Sequence, residues 1–273
     1  MKIQLLSDLH LETHPHFAPS PAPDADVLIL AGDIGSYQTG SCLLDQHDTD
    51  FGLARFSPRA DLAAWPVPVF YVPGNHEYDG LDFDLAHARL RQTCERLHIH
   101  WLHRHSEILN GVRFVGCTLW SDFEALVPLT GPLTLQLKAR EKAQRAADFY
   151  LRKTGTHRHG LPFLSGAVKA QALEDQAWLR AALAQTFEGA TVVVTHFAPS
   201  LQSADPRYGR TPGTAGFCNA LDDLLVHAQL WLHGHLHCAH DYHAGACRVV
   251  ANPLGYARKN EQAAFQPQLT LTL

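Results

Sequence analysis

The chain has 273 residues, 46% of them hydrophobic, and a formal net charge of −5 with histidine neutral. That supplies a large core and excludes the basic footprint of a nucleic-acid binder. No apolar run is long enough for a signal peptide or a membrane span, so a soluble cytoplasmic protein is expected, folded as one domain over residues 1–273. The six cysteines, Cys42, Cys94, Cys117, Cys218, Cys238 and Cys247, form no Cys-x-x-Cys pair and read as reduced, mostly buried thiols. The unusual number is 19 histidines, enough to reverse the net charge if all were protonated.

Residues 2–7 read as a short strand ending in Ser7-Asp8-Leu9-His10. Asp8 and His10 are two apart, so an extended chain would put both on one face. That pair suits a transition metal, and a polar strand end with a turn-forming Asp reads equally well. Pro15 to Pro23 is a Pro-rich loop. Asp26 to Ile34 is a near-continuously apolar strand, as expected when both faces are buried, and Gly32-Asp33 closes it. Gly35 to Arg59 shows little periodicity, and a short helix is expected near Ala60 to Trp65. Val67 to Val72 is a third strand, ending in Pro73-Gly74-Asn75-His76-Glu77. Asn75 offers a neutral carbonyl oxygen to a metal, and His76 is an acid or base that works near neutral pH.

Leu81 to His98 has helical periodicity, with Phe83, Ala86, Leu90, Cys94 and Leu97 on one face. Ile99 to Leu102 and Val112 to Trp120 read as strands, with Asn110-Gly111 as a hairpin turn between them. Residues 121–165 break the alternation and read as an insertion overhanging the site, with an exposed charged helix over Lys138 to Arg152 and a loop over Thr154 to Pro162. A helix over Gly166 to Thr186 leads to a strand, Ala190 to Thr195, which ends in His196. A loop over Asp205 to Gly216 carries Arg207 and Arg210 beside glycines and is read as substrate-binding. A helix from Asn219 to Val226 precedes the strand Leu230 to Leu232 and its end, His233-Gly234-His235-Leu236-His237. Arg248 to Ala251 and Leu269 to Leu273 are closing strands. Asn252-Pro253-Leu254-Gly255-Tyr256 reads first as a turn, with a place on the site's rim as the alternative.

His-x-His occurs six times, so the pattern alone means little. The informative fact is position. Asp8 and His10, Asp33, Asn75 and His76, His196, and His235 with His237 all fall at the carboxyl ends of strands, where open α/β sheets bind ligands. The donors are oxygen and nitrogen only, which fits manganese, iron or zinc and not a structural zinc–cysteine site. With His76 set aside as the acid or base, the remaining seven donors are too many for one tetrahedral ion and natural for two ions sharing a carboxylate.

Through the ordered motifs Asp8-x-His10, Gly32-Asp33, Gly74-Asn75-His76-Glu77, His196 and Gly234-His235-x-His237, the chain resembles the calcineurin-like metallophosphoesterase superfamily over essentially its whole length. The resemblance implies an α/β fold, a four-layer α/β/β/α sandwich of two mixed β-sheets flanked by helices. It implies one metal held by Asp8, His10 and His237, a second held by Asn75, His196 and His235, and Asp33 bridging. His76 would face the substrate. A hydroxide bridging the two ions would then attack a small phosphate mono- or diester, with protonated His76 donating to the leaving oxygen. The second motif lacks the Asp-Arg of the superfamily's Ser/Thr protein phosphatases, which argues against a close protein phosphatase and removes the Asp expected to orient His76. Phe197 stands where many relatives carry His. The alternatives are a non-catalytic scaffold or interaction module of the same fold and a mononuclear metal-binding or storage protein. Oligomeric state is open.

Overall fold

In the computed structural model, which describes residues 1–273, the strand ends do converge. The first sheet contains β1 (Lys2–Leu6), β2 (Val27–Ala31), β3 (Val69–Val72) and the short β4 (His100–Trp101), all parallel. The second is built on β5 (His105–Leu109), β6 (Val112–Cys117), β9 (Thr191–Thr195), β10 (Leu230–His233), β11 (His240–Ala244) and β12 (Cys247–Ala251), in the order β11-β12-β10-β9-β6-β5. β6, β9, β10 and β12 are parallel, while the two edges, β5 and β11, run antiparallel. A small hairpin, β7 (His157–Arg158) and β8 (Leu161–Pro162), stands apart, and β13 (Thr270–Thr272) adds antiparallel to β1.

Both faces of each sheet are covered, which explains the unbroken apolar strands. In β2, Val27, Ile29 and Ala31 point to the neighbouring sheet, and Leu28 and Leu30 point outward. The layer between the sheets interleaves Ile3, Leu5 and Phe70 with Phe114, Val192 and Leu232, and the Phe70 and Phe114 rings stack 4.9 Å apart. Outside the first sheet lies α1 (Phe83–Leu97), burying Ala86, Leu90, Cys94 and Leu97 at helical spacing. Asp82 caps it by accepting the Asp84 and Leu85 N–H groups. The helix α2 (Leu133–Thr154) packs through Ala143 and Ala147 near the loop Pro212–Gly216. The helix α3 (Ser165–Leu183) sends Leu179 and Leu183 to the outer face of the second sheet, against Val193 and Trp231. The result is the four-layer arrangement of two mixed sheets with helices outside. All six cysteines are free, four of them buried.

Three local expectations need correction. Ala60 to Trp65 is turn, and the nearby helical turn is Leu53–Phe56. Asn110-Gly111 does make a hairpin, but its first strand is His105–Leu109, not Ile99 to Leu102, which supplies β4 of the other sheet. The expected loop Thr154 to Pro162 contains β7 and β8. The missed strands β5 and β11 are edges with polar faces, so they carry no apolar signal to read.

Phe114→Ala empties the space between the sheets. It is expected to lower the unfolding free energy by about 3–5 kcal/mol, read as a fall in urea midpoint at unchanged slope.

Candidate metal centre

Each candidate ligand sits one to four residues beyond a strand, and the chain must turn sharply there. Asp8, His10, Asp33, His235 and His237 all have positive φ, between 45° and 72°. Such backbone in non-glycine residues is strained and is found where function holds it. Backbone bonds fix it here: Asp8 N–H donates to Gly32 O at 3.0 Å, and His10 N–H to Asp33 O at 3.1 Å. Two glycines make room. A Cβ on Gly74 would collide with the Asp33 carboxylate, and one on Gly234 with the Asp8 carboxylate.

The side chains gather into two groups with Asp33 in both. The donor atoms of Asp8, His10, Asp33 and His237 lie within 4.8 Å of one another, as do those of Asp33, His196 and His235. Asn75 joins the second group, its Oδ1 standing 3.1 Å from His196 Nε2. Asp33 Oδ2 is 3.2 Å from His196 Nε2 and 3.9 Å from His10 Nε2. Its other oxygen, Oδ1, accepts the His76 N–H at 2.8 Å. Asp8 Oδ2, Asp33 Oδ2 and His235 Nε2 are buried with no hydrogen-bond partner. Buried polar atoms rarely go unpaired, and three of them within these two donor groups fit a cation.

Three of the imidazoles are oriented through their far nitrogens, as metal-binding histidines characteristically are. His10 Nδ1–H donates to Glu12 Oε1 at 2.9 Å, His237 Nδ1–H to Glu261 Oε2 at 2.6 Å, and His196 Nδ1–H to the Ala31 carbonyl at 2.9 Å. Each Nε2 is thereby left to face inward. His10 Nε2 and His237 Nε2 approach to 3.0 Å, which two lone pairs tolerate only with a proton or metal ion between them. His235 is oriented differently: its ring lies between Phe197, 3.9 Å away, and Phe217, 4.9 Å away.

The electrostatics call for positive charge at the centre. Burial opposes the Asp8 carboxylate, yet His237 and His196 pull its pKa down to about 2. Asp33 is likewise held well below the usual range against its burial, chiefly by His196 and His76. Burial also opposes the charged forms of His196 and His237, but Asp33 raises the first, and Asp8 and Glu261 the second, each to about 9. His235 moves the other way, because burial and the neighbouring His196 keep it neutral. Burial works against charging His76 too, but Asp79 and Asp33 outweigh it and hold its pKa well above the ordinary value.

Four contributors were given no role from the sequence, although Glu77 stands in the Gly74-Asn75-His76-Glu77 motif. Asp79 accepts from His76 Nδ1 at 2.6 Å, so the orienting Asp absent from the second motif comes instead from three residues downstream. Glu77 accepts the N–H groups of Asp33, Ile34 and Gly74, tying two ligand-bearing turns together. Glu12 and Glu261 position His10 and His237. The spacing of Asp79 was visible; Glu261, 24 residues after its partner, carried no local signal. Asn252 to Tyr256 lies on the rim and is not merely a turn. Its Gly255 N–H donates to Asp8 O at 2.9 Å, and Tyr256 stacks on His10 at 4.2 Å. Arg207 is gripped by Asp205 and reaches the His237 carbonyl at 3.4 Å, while Arg210 is exposed.

Residues 1–239 match the family described as calcineurin-like phosphoesterase. An uncharacterized protein of Acanthamoeba polyphaga mimivirus is 24% identical over 97% of this chain and 94% of its own length. The crystal structure of a phosphopantetheinyl hydrolase from Mycobacterium tuberculosis superposes with a TM-score of 0.70 at 22% identity, over 96% of this chain and 92% of that one. At that identity the likeness concerns the fold.

Gly234→Ala drives a methyl group into the Asp8 carboxylate. It is expected to destabilise the fold by about 1–3 kcal/mol even with chelator present, measured by thermal unfolding in EDTA.

Proposed function

The chain belongs to the calcineurin-like phosphoesterase family, and from that we propose that it is a metal-dependent hydrolase of a small phosphate mono- or diester. The observation that carries this reading is the pair of donor groups meeting at one buried carboxylate, Asp33, with three unpartnered buried atoms among their members. In this reading Asp8, His10 and His237 would hold one ion and Asn75, His196 and His235 the other, with Asp33 common to both donor groups. Manganese, iron and zinc suit such nitrogen and oxygen donors. When bound, a metal pair supplies an activated water and neutralises phosphoryl oxygens.

The chain's own part is positioning and proton handling. His76 belongs to neither donor group, and its ring lies 5.1 Å from that of His10. Asp79 and Asp33 favour its charged form, which suits it to donate a proton from Nε2 to the departing oxygen, with Nδ1–H anchored on Asp79. Glu12, Glu261 and the Ala31 carbonyl hold three ligand imidazoles in the tautomer that presents Nε2. Arg207, braced by Asp205 beside His237, is the better placed of the two loop arginines to meet a phosphate oxygen. Residues 240–273 lie beyond the family match and supply Tyr256 and Glu261 to the site, which supports reading residues 1–273 as one catalytic domain. Every donor position of the motif set is filled, which favours an enzyme over a scaffold.

The test is turnover of p-nitrophenyl phosphate and bis-p-nitrophenyl phosphate by metal-stripped protein refilled with Mn²⁺, with a phosphopantetheine-bearing compound in the panel because of the hydrolase of similar fold. His76→Ala is expected to lower kcat by about 10²–10⁴-fold with two metals per chain retained. Asp79→Asn is expected to lower kcat by at least about tenfold, again without metal loss. Absence of metal-dependent turnover across the panel would defeat the proposal.

Glu261→Gln should act on the metal instead. Its expected effect is a fall of about 10–100-fold in metal affinity, measured by titration calorimetry with Mn²⁺, with a smaller change in kcat at saturating metal.

A further inference from the structure

The helix α2 carries a surface that the catalytic reading does not use. Its inner stripe is accounted for: Arg140 pairs with Glu124, and Ala143, Ala147 and Leu151 pack on the body. At about 100° per residue, Leu133 and Leu137 continue that stripe toward the amino end. They find nothing to cover them, being 64% and 53% exposed, and Leu129 just before the helix is 98% exposed. The outward face presents Lys138, Lys142 and Arg145, all exposed, and then Phe149, 60% exposed, with Lys153 Nζ 4.0 Å from its ring centre. Residues 133–154 hold six Lys and Arg against two Asp and Glu, in a chain with 22 against 27.

Leucines that no packing explains, grouped at one end of a helix whose free face is basic, fit an interface between water and hydrocarbon. We propose that α2 docks this protein on an anionic phospholipid bilayer, with Leu129, Leu133 and Leu137 entering the acyl boundary and Lys138, Lys142 and Arg145 meeting the headgroup charge. Charge complementarity selects this occupant. In a twofold dimer built on the same face, the basic residues would oppose their own copies, and the leucines add nothing to a phosphate-backbone contact with nucleic acid. The apolar tip supplies area burial and the lysines supply attraction to anionic lipid. The adjoining loop Pro212–Gly216, against which α2 packs, leads directly to Phe217 on the His235 ring, so the docked helix adjoins the site's wall.

The experiment is vesicle flotation of the full chain with phosphatidylcholine alone and with a phosphatidylcholine–phosphatidylglycerol mixture, at low and high salt. The wild type is expected to float with the anionic vesicles, not the neutral ones, and to be largely but not wholly released by salt. Lys138→Glu, Lys142→Glu and Arg145→Glu together are expected to reduce partitioning by at least about a hundredfold. Leu129→Ser, Leu133→Ser and Leu137→Ser together are expected to abolish the salt-resistant remainder. These side chains are exposed, so matching circular dichroism and melting would show both variants folded. The proposal is overturned if the wild type stays with the buffer, if both variants float as well as the wild type, or if the leucine variant converts a solution dimer to monomer. It is equally overturned if duplex nucleic acid binds through these lysines where anionic vesicles do not. Flotation needs no turnover, so this result and the hydrolase assay stand or fall separately.

Discussion

The arrangement depends on one carboxylate. Asp33 leaves β2 at the seam between the two sheets, where its Oδ1 is fixed by the His76 N–H and its Oδ2 is left to the centre. A single oxygen can serve both donor groups only if the turns around it are held to within fractions of an ångström. The sandwich provides that. Three parallel strands of one sheet and two of the other aim their carboxyl ends at the same point, and the packed layer of Ile3, Leu5, Phe70, Phe114 and Leu232 fixes the distance between them. Glu77 then crosses from the β3 turn to the β2 turn and satisfies three N–H groups that the sharp bends would leave unpaired. Those bends are themselves unfavourable, on the order of 1–3 kcal/mol for each non-glycine residue at positive φ. Five such residues around one centre mean that core burial elsewhere is offset by strain where the ligands stand.

What could be read in advance follows from this division. Strands covered on both faces, such as Val27–Ala31, announce themselves through continuous apolar composition, and so do the polar residues that end them. Nearly every inward-facing donor was visible for that reason. The edge strands His105–Leu109 and His240–Ala244 were not, since a strand paired on one side and wet on its face has no pattern to distinguish it from a loop. The supporting carboxylates divide the same way. Asp79, three residues from His76, acts through a local turn, whereas Glu261 reaches His237 only because Asn252 ties its segment to β1 and β13 folds back beside it. A contact made through tertiary folding leaves no trace in spacing.

The two donor groups are also supported unequally. His10, His196 and His237 are each aligned by a hydrogen bond at the far nitrogen, which sharpens both ring orientation and basicity. His235 instead packs its ring against Phe197, Phe217 and His196. Ring contacts restrain tilt without the polarising hydrogen bond that the other three imidazoles receive, so the two groups are not equivalent. Phe217 follows directly on the loop that packs against α2, which places His235 close to a helix whose only buried residue is Ala143.

Asp8 and the groups that complete its surroundings, His237, Tyr256 and Glu261, are separated by most of the polypeptide. During synthesis Asp8 emerges from the ribosome long before the residues that orient its neighbours in the cluster. Until residue 261 is free of the exit tunnel, His237 has no carboxylate behind it and the β1 end has no lid. A nascent chain therefore carries an open, incompletely aligned set of donors for most of its translation, and the cluster takes its final geometry only after the backbone has closed on itself.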